Sequence, residues 1–143
     1  MNKLLILLLA ALLVQISSAI SLGDTMNQEI AAQTNTATSV TKLTDVKSKY
    51  STFVTTSATG NTTFLVNNKT NKVYSISWQD NQAADLQAVL GKYYPEFQNA
   101  GIKKRIPLRA ITVDDGDLTF SQFGSMLSGV QGSTTVRSLA PQE

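Results

Sequence analysis

The spacing of apolar residues changes abruptly after Trp78, and this change constrains the fold more than any other feature of the sequence. Before it, polar and apolar residues alternate, so that Tyr74, Ile76 and Trp78 share one face of a predicted β-strand. After it, apolar residues recur at the spacing of one helix face. These helix residues are Leu86, Val89, Leu90, Tyr93, Tyr94 and Phe97. We predict that the two apolar faces meet and form the core.

Three runs rich in β-branched and aromatic residues predict three strands, at Tyr50–Thr56, Thr62–Asn67 and Lys72–Trp78. The connections between them are rich in Gly, Asn and Thr, and Gly and Asn suit tight turns. Short connections of this kind favour an antiparallel β-meander.

The C-terminal part of the chain predicts further strands. Ile106–Val113 and Leu118–Phe123 flank the sequence Asp-Asp-Gly-Asp, and Asp-Gly between two apolar runs is typical of a hairpin turn. Another strand is predicted at Thr134–Ser138. We therefore expect an α+β fold, in which an antiparallel β-meander and C-terminal strands form a sheet of about four to six strands. One amphipathic helix is expected to pack on this sheet.

The helix is expected over residues 81–94. Asp80 or Asn81 can accept hydrogen bonds from the free N–H groups of its first turn. Pro95 disfavours helical geometry in the residue before it, so the regular helix is expected to end or kink there. Gly91 costs about 1 kcal/mol relative to Ala inside a helix. This cost predicts that Gly91 packs closely against the sheet.

Residues 1–19 are typical of a secretory signal peptide, because Lys3 precedes the apolar run Leu4–Ile16 and small residues follow it. The apolar run is shorter than the ~20 residues that a membrane-spanning helix needs. Small residues allow cleavage after Ala19 or after Ser21. We therefore expect a soluble periplasmic or extracellular protein that keeps no stable membrane anchor after cleavage.

Residues 20–49 are polar and contain few apolar side chains. Such a segment offers little apolar area to offset the entropy lost when a chain becomes ordered. We predict a flexible polar N-terminal segment at residues 20–49 and a single α+β domain at residues 50–143.

The composition excludes several classes of function. The chain has no Cys and no His, so it lacks thiolate nucleophiles, imidazole bases and the usual ligands of zinc, haem and iron–sulfur clusters. The formal net charge is only +2, from 12 Lys and Arg against 10 Asp and Glu. A nucleic-acid-binding protein normally carries a stronger positive field. We expect no cofactor and no nucleic-acid partner.

The residues around Trp78 also resemble a known family. The segment Lys72–Gln79, which ends in Trp-Gln, is followed by Asp85–Tyr94, which carries Asp-Leu, Leu-Gly and two tyrosines. This pattern is similar to that of small exported bacterial proteins in the family called domain of unknown function 2844. The chain differs from the usual family pattern at Ala84, where Pro is common, and at Ser125, where His is common. The resemblance implies an exported bacterial protein and implies no activity.

A short basic cluster is the first candidate binding site. It consists of Lys103, Lys104, Arg105 and Arg109, which together could bind an anionic group. Charges beside an apolar strand also discourage pairing between the edges of two sheets. The cluster therefore has a structural explanation as well as a functional one.

Three acidic residues form the second candidate site. Asp114, Asp115 and Asp117 surround a Gly turn, and Ca²⁺ prefers carboxylate oxygens in such turns. The cluster lacks the downstream Glu of an EF-hand loop, and a hairpin turn explains the same residues. We therefore treat them as weak candidate ligands and predict no metal site.

These observations favour a non-catalytic binding or accessory module. It would contact another envelope component, such as an envelope protein, through a sheet edge or through the basic cluster. Two alternatives stay open: a hydrolase of an envelope polymer that uses Asp114 or Asp117, and a carrier that holds a small ligand in an apolar cavity. No catalytic residue is assigned, and the oligomeric state is left open.

Overall fold

This computed structural model describes residues 20–26, 39–43, 48–81, 84–100, 104–106, 110–125 and 129–142. The strands in these ranges are β1 (Ser39–Leu43), β2 (Tyr50–Thr56), β3 (Gly60–Asn67), β4 (Lys72–Asp80), β5 (Lys104–Ile106), β6 (Ala110–Asp115), β7 (Leu118–Ser125) and β8 (Gly129–Val136). The helical segment consists of α1 (Leu86–Leu90), a 3₁₀ turn (Gly91–Tyr93) and α2 (Tyr94–Ala100). A second 3₁₀ turn, Arg137–Leu139, follows β8.

The described strands form one antiparallel sheet in the order β1-β2-β3-β4-β8-β7-β6-β5. β2, β3 and β4 pair in sequence, which confirms the predicted meander. β6, β7 and β8 form a second consecutive set, and the pairing of β4 with β8 joins the two sets. Because the helical segment packs on this sheet, the α+β class is confirmed.

The described sheet has more strands than predicted. β1 lies in the polar segment for which no strand is predicted. The run Ile106–Val113 does not form one strand, because Ile106 in β5 pairs back onto Ala110 in β6. β8 begins at Gly129, before the predicted strand at Thr134–Ser138. Its pairing with β7 starts at Gly129 and its pairing with β4 starts at Val130, so residues before Thr134 also belong to the sheet.

A row of buried side chains crosses six strands on one face of the sheet, here called the inner face. From β2 to β6, the strand register places in line Phe53, Phe64, Ile76, Thr134, Phe120 and Val113. Each of them is at most 7% exposed. The polar member fits because the Thr134 hydroxyl donates to the Thr119 carbonyl oxygen at 2.9 Å. Burial of this row holds the two strand sets together.

A β-bulge changes which residues of β4 reach the core. The pairing of β3 with β4 shifts after Leu65, so that Val66 pairs with Val73. Val73 joins the main apolar cluster and is fully buried, whereas Tyr74 is buried outside that cluster. Burial raises the pKa of Tyr74, and nearby Tyr50 raises it further.

The predicted apolar face of the helix contacts the core. Leu90 is fully buried, and the other five predicted helix residues are partly buried and pack against the cluster. They are Leu86, Val89, Tyr93, Tyr94 and Phe97. The ring of Phe120 lies 4.8 Å from that of Phe97 and 5.9 Å from that of Trp78, measured between centroids. Ile76 and Trp78 of β4 therefore share one core with the helix as predicted, whereas the predicted core residue Tyr74 lies outside the main cluster.

The helix begins later than predicted. Its N-cap is Asp85, whose carboxylate accepts hydrogen bonds from the backbone N–H groups of Gln87 and Ala88 at 3.1 and 3.2 Å. The predicted caps Asp80 and Asn81 do not take this position, because β4 extends through Asp80.

Gly91 and Pro95 shape the helical segment in ways that the sequence does not predict. Gly91 ends α1 with φ of +52°, and a Cβ there would lie 2.7 Å from the Ser21 Cβ. Its close neighbour is therefore the N-terminal segment and not the sheet.

Pro95 is the second residue of α2, where its missing N–H costs nothing, and Tyr94 adopts helical angles. The predicted end at residue 94 is wrong, since α2 continues to Ala100.

Residues 20–26, at the start of the segment predicted to be flexible, pack into the core. Leu22 is 0% exposed and Met26 is 1% exposed. The backbone N–H of Leu22 donates to the Val89 carbonyl at 3.0 Å, and that of Gly23 donates to the Val73 carbonyl at 2.8 Å. The packed domain therefore starts earlier than the predicted boundary at residue 50. Residues 27–38 and 44–47 lie outside the described ranges.

Trp78 occupies the space that a side chain on Gly132 would fill. The two residues lie directly opposite each other in the β4–β8 pair. A Cβ on Gly132 would overlap Cζ2 and Cε2 of the indole. The absence of a side chain at this position therefore allows the large aromatic residue to lie against the strand pair that joins the two halves of the sheet.

Two substitutions test this contact. Trp78→Ala is expected to lower the free energy of unfolding by about 3–5 kcal/mol, as for other large core aromatics. Gly132→Ala is expected to lower it by about 1–3 kcal/mol, because the added methyl group displaces the indole. The matched control is Gly124→Ala, where the nearest atom would be a Val130 methyl carbon at an ordinary 3.5 Å. Denaturant unfolding that ranks Gly132→Ala no lower than this control would contradict the packing.

Candidate functional site

The face of the sheet opposite the helix, here called the outer face, carries a row of small side chains. The register aligns Val54 with Thr63, Thr63 with Ser77, Ser77 with Ser133, and Ser133 with Ser121. All five are partly exposed. Because these side chains are short, they form a low floor across β2, β3, β4, β8 and β7.

Longer side chains form a wall beside this floor. The adjacent row of the register contains Asn61, Gln79, Gln131 and Phe123, in that order from β3 to β7. Phe123 is 53% exposed, and Tyr50 is the other large hydrophobic side chain that is exposed in the described ranges. The floor and wall enclose a shallow depression of about 470 Å³, also lined by Trp78 and Gly132. We call it the outer depression.

The described lining of the outer depression is polar and uncharged. None of the lining residues that the structure describes is Asp, Glu, Lys or Arg. The hydroxyls of Ser121 and Ser133 lie 3.1 Å apart and bond to each other. In the part of the chain that the structure describes, the side chains of Thr63, Ser77 and Gln131 have no hydrogen-bond partner. Hydroxyl and amide groups both donate and accept hydrogen bonds, so this surface can bind a ligand rich in either function.

The acidic hairpin residues are engaged in structural contacts. The Asp114 carboxylate accepts two hydrogen bonds from the Arg137 guanidinium, each 3.2 Å long. The Asp117 carboxylate accepts hydrogen bonds from the backbone N–H and the hydroxyl of Ser138, at 2.6 and 2.7 Å. The Asp115 side chain is exposed. These contacts tie the β6–β7 hairpin to the 3₁₀ turn after β8.

Tyr93 lies near the same hairpin. Burial raises the pKa of the Tyr93 phenol, and the negative charges of Asp117 and Glu96 raise it further. The phenol is therefore neutral at neutral pH.

Across the described ranges, no three His, Cys, Asp or Glu side chains come close enough together to hold a metal ion.

Two residues of the basic cluster lie on an edge strand of the described sheet. Lys104 and Arg105 belong to β5, the last strand in the sheet order. Lys103 and Arg109 lie outside the described residues, as do the side chains of Lys104 and Arg105. The cluster as a binding site thus stays a prediction.

Sequence analysis missed the outer depression because its residues come from five strands. Alternation within β4 already places Ser75 and Ser77 on one face, but alternation does not reveal which strand lies beside β4. The pairing of Ser77 with Ser133 joins residues far apart in the chain. Ser121 and Phe123, two residues apart in β7, are a second local signal for this surface.

Comparison with known proteins places the chain in a family. A family model described as "Protein of unknown function (DUF2844)" matches residues 18–143. The chain belongs to the DUF2844 family. The match covers the helical segment and all eight described strands of this DUF2844 protein. The resemblance predicted from the residues around Trp78 is thereby confirmed.

Other comparisons add little to the family assignment. No curated protein matches this DUF2844 chain. One similar solved structure is that of a cysteine-rich secretory protein from Staphylococcus aureus subsp. aureus Mu50, with 10% sequence identity and a TM-score of 0.43. The similarity covers 80% of the DUF2844 chain and 44% of that protein's length. Among the described helices, none is long and apolar enough to cross a membrane.

Proposed function

We propose that this DUF2844 protein is exported and acts as a non-catalytic binding module, with the outer depression as its contact surface. The signal-peptide pattern of residues 1–19 supports export. The outer depression supports the proposal of binding, because it presents unpaired hydrogen-bonding side chains and an exposed aromatic ring on one face of the sheet.

The contacts of the acidic residues support a role without catalysis. Asp114 is paired with Arg137, and Asp117 caps the 3₁₀ turn through Ser138. A pair of catalytic carboxylates needs two different environments on the two sides of a substrate cleft. Here both carboxylates belong to one hairpin and bind the 3₁₀ turn that follows β8.

Packing of the N-terminal segment favours cleavage after Ala19 over cleavage after Ser21. Cleavage after Ser21 would turn the backbone N–H of Leu22, which donates to the Val89 carbonyl, into a charged amine at a fully buried residue. Burying a charge is costly. It would also remove the hydrogen bonds from Ser21 to Asp24 and Ala88.

The mass of the exported protein tests the cleavage site. We expect a mature chain that begins at Ile20, because this start keeps the contacts of Ser21 and Leu22. Intact mass spectrometry of the protein from the exported fraction distinguishes the two starts. A chain that begins at Leu22 would contradict the assignment, and a chain that keeps residues 1–19 would contradict the signal peptide itself.

Photocrosslinking in the producing cell tests the contact surface. Placing p-benzoylphenylalanine at position 123 keeps an aromatic ring beside the outer depression, and we expect it to form covalent adducts with the bound component. The matched control carries the same residue in place of Gln98, which is exposed on α2 on the other side of the molecule. Equal adducts at both positions, or none at position 123, would contradict the proposed contact surface.

A further inference from the structure

We propose that the outer depression binds an uncharged, extended glycan chain. This inference rests on the proposed function and specifies the ligand of the same surface. Four properties of the depression point to this ligand class: its lack of charge, its unpaired hydrogen-bonding groups, its exposed aromatic ring and its direction across the strands.

The uncharged side chains of the described lining favour an uncharged glycan over the charged polymers of a cell envelope. Among the described residues that line the depression, none carries a positive or negative side chain. Nucleic acids, anionic lipids and acidic polysaccharides bind through Lys and Arg, which neutralise their negative groups. A surface of hydroxyl and amide groups gives no such compensation. It therefore suits a polymer that has no charge of its own.

The hydrogen-bonding groups match a polymer of hydroxyls. Each sugar hydroxyl both donates and accepts, as do the Ser and Thr hydroxyls and the Asn and Gln amides of the depression. Within the described residues, Asn61, Thr63, Ser77, Gln79 and Gln131 make no side-chain hydrogen bond. A glycan can therefore bond to these groups without displacing an existing protein contact, and only bound water has to leave.

Phe123 supplies the apolar part of the contact. Its side chain is 53% exposed in the wall of the depression, next to the Gln131 position of β8. Sugar rings have faces made of C–H groups, and such a face can cover an aromatic ring and remove it from water. A half-exposed Phe among amides and hydroxyls fits this kind of contact.

The direction of the floor favours an extended ligand. The row from Val54 to Ser121 crosses five adjacent strands, a distance of about 19 Å at the usual strand spacing. An extended peptide would normally bind a sheet by pairing with the backbone of an edge strand. On this face the backbone groups of β3, β4, β8 and β7 are already paired with neighbouring strands. Only side chains are available, which favours a chain of sugar rings over a peptide.

Titration with oligosaccharides of defined charge tests the inference. The probes are the hexamers of β-1,4-glucose, α-1,4-glucose and β-1,4-N-acetylglucosamine, which are neutral, and the hexamer of galacturonic acid, which is anionic. We expect the full chain processed by its host to bind at least one neutral hexamer in isothermal titration calorimetry. The affinity should change little between low and moderate salt, because no charges are neutralised. Binding of no neutral hexamer, or preference for the anionic one, would overturn the inference.

Variants locate the binding to the outer depression. Phe123→Ala and Gln131→Ala are each expected to weaken binding of the neutral hexamer about tenfold, which corresponds to the loss of one good contact. Tyr50→Ala is the matched control, since Tyr50 is also an exposed aromatic residue but lies outside the depression. Thermal unfolding checks that each variant is folded. Equal affinities for Phe123→Ala and Tyr50→Ala would overturn the assignment.

The two proposals fail in different ways. Adducts at position 123 that contain protein and no carbohydrate, together with no binding of the neutral hexamers, would overturn the glycan inference and leave the contact surface standing. The absence of adducts at position 123 would remove the contact surface and the glycan inference with it.

Discussion

The buried row that crosses six strands of the inner face is the constraint on which the rest of the structure depends. Apolar contacts along this row hold together a sheet whose halves are far apart in sequence, and β4 and β8 meet where Trp78 lies over Gly132. Side chains alternate between the faces of a strand. Residues that fill the inner row therefore fix which neighbours face outward, and the outer depression is a consequence of the same register.

Two segments cover the inner face, and they contact each other. The helical segment packs over the Phe120 side of the core through Phe97, while Leu22 bonds to α1 and Met26 bonds to the turn between β3 and β4. Gly91 permits the close approach between them. The described helices and the residues 20–26 thus bury one face of the sheet, and the polar outer face is the surface on which we place the binding function.

Local patterns predicted the elements whose information lies within a few residues. The alternation through Ile76 and Trp78 and the helical spacing from Leu86 to Phe97 predicted both the meander and the shared core. Long-range pairing is not encoded in such patterns, so the contact of Trp78 with Gly132 and the outer depression were not predicted. Residues 20–26 escaped notice because two anchoring side chains in a polar segment give no periodic signal.

The inner face of the sheet is covered by the helical segment and residues 20–26, whereas the outer face is exposed to solvent. Hydroxyl-radical footprinting of the exported protein, read by mass spectrometry, measures this difference directly, because aromatic side chains react according to their exposure. We expect strong modification of Phe123 and Tyr50, and protection of Phe53, Phe120 and Trp78. Modification of Trp78 or Phe120 to the same extent as Phe123 would contradict it.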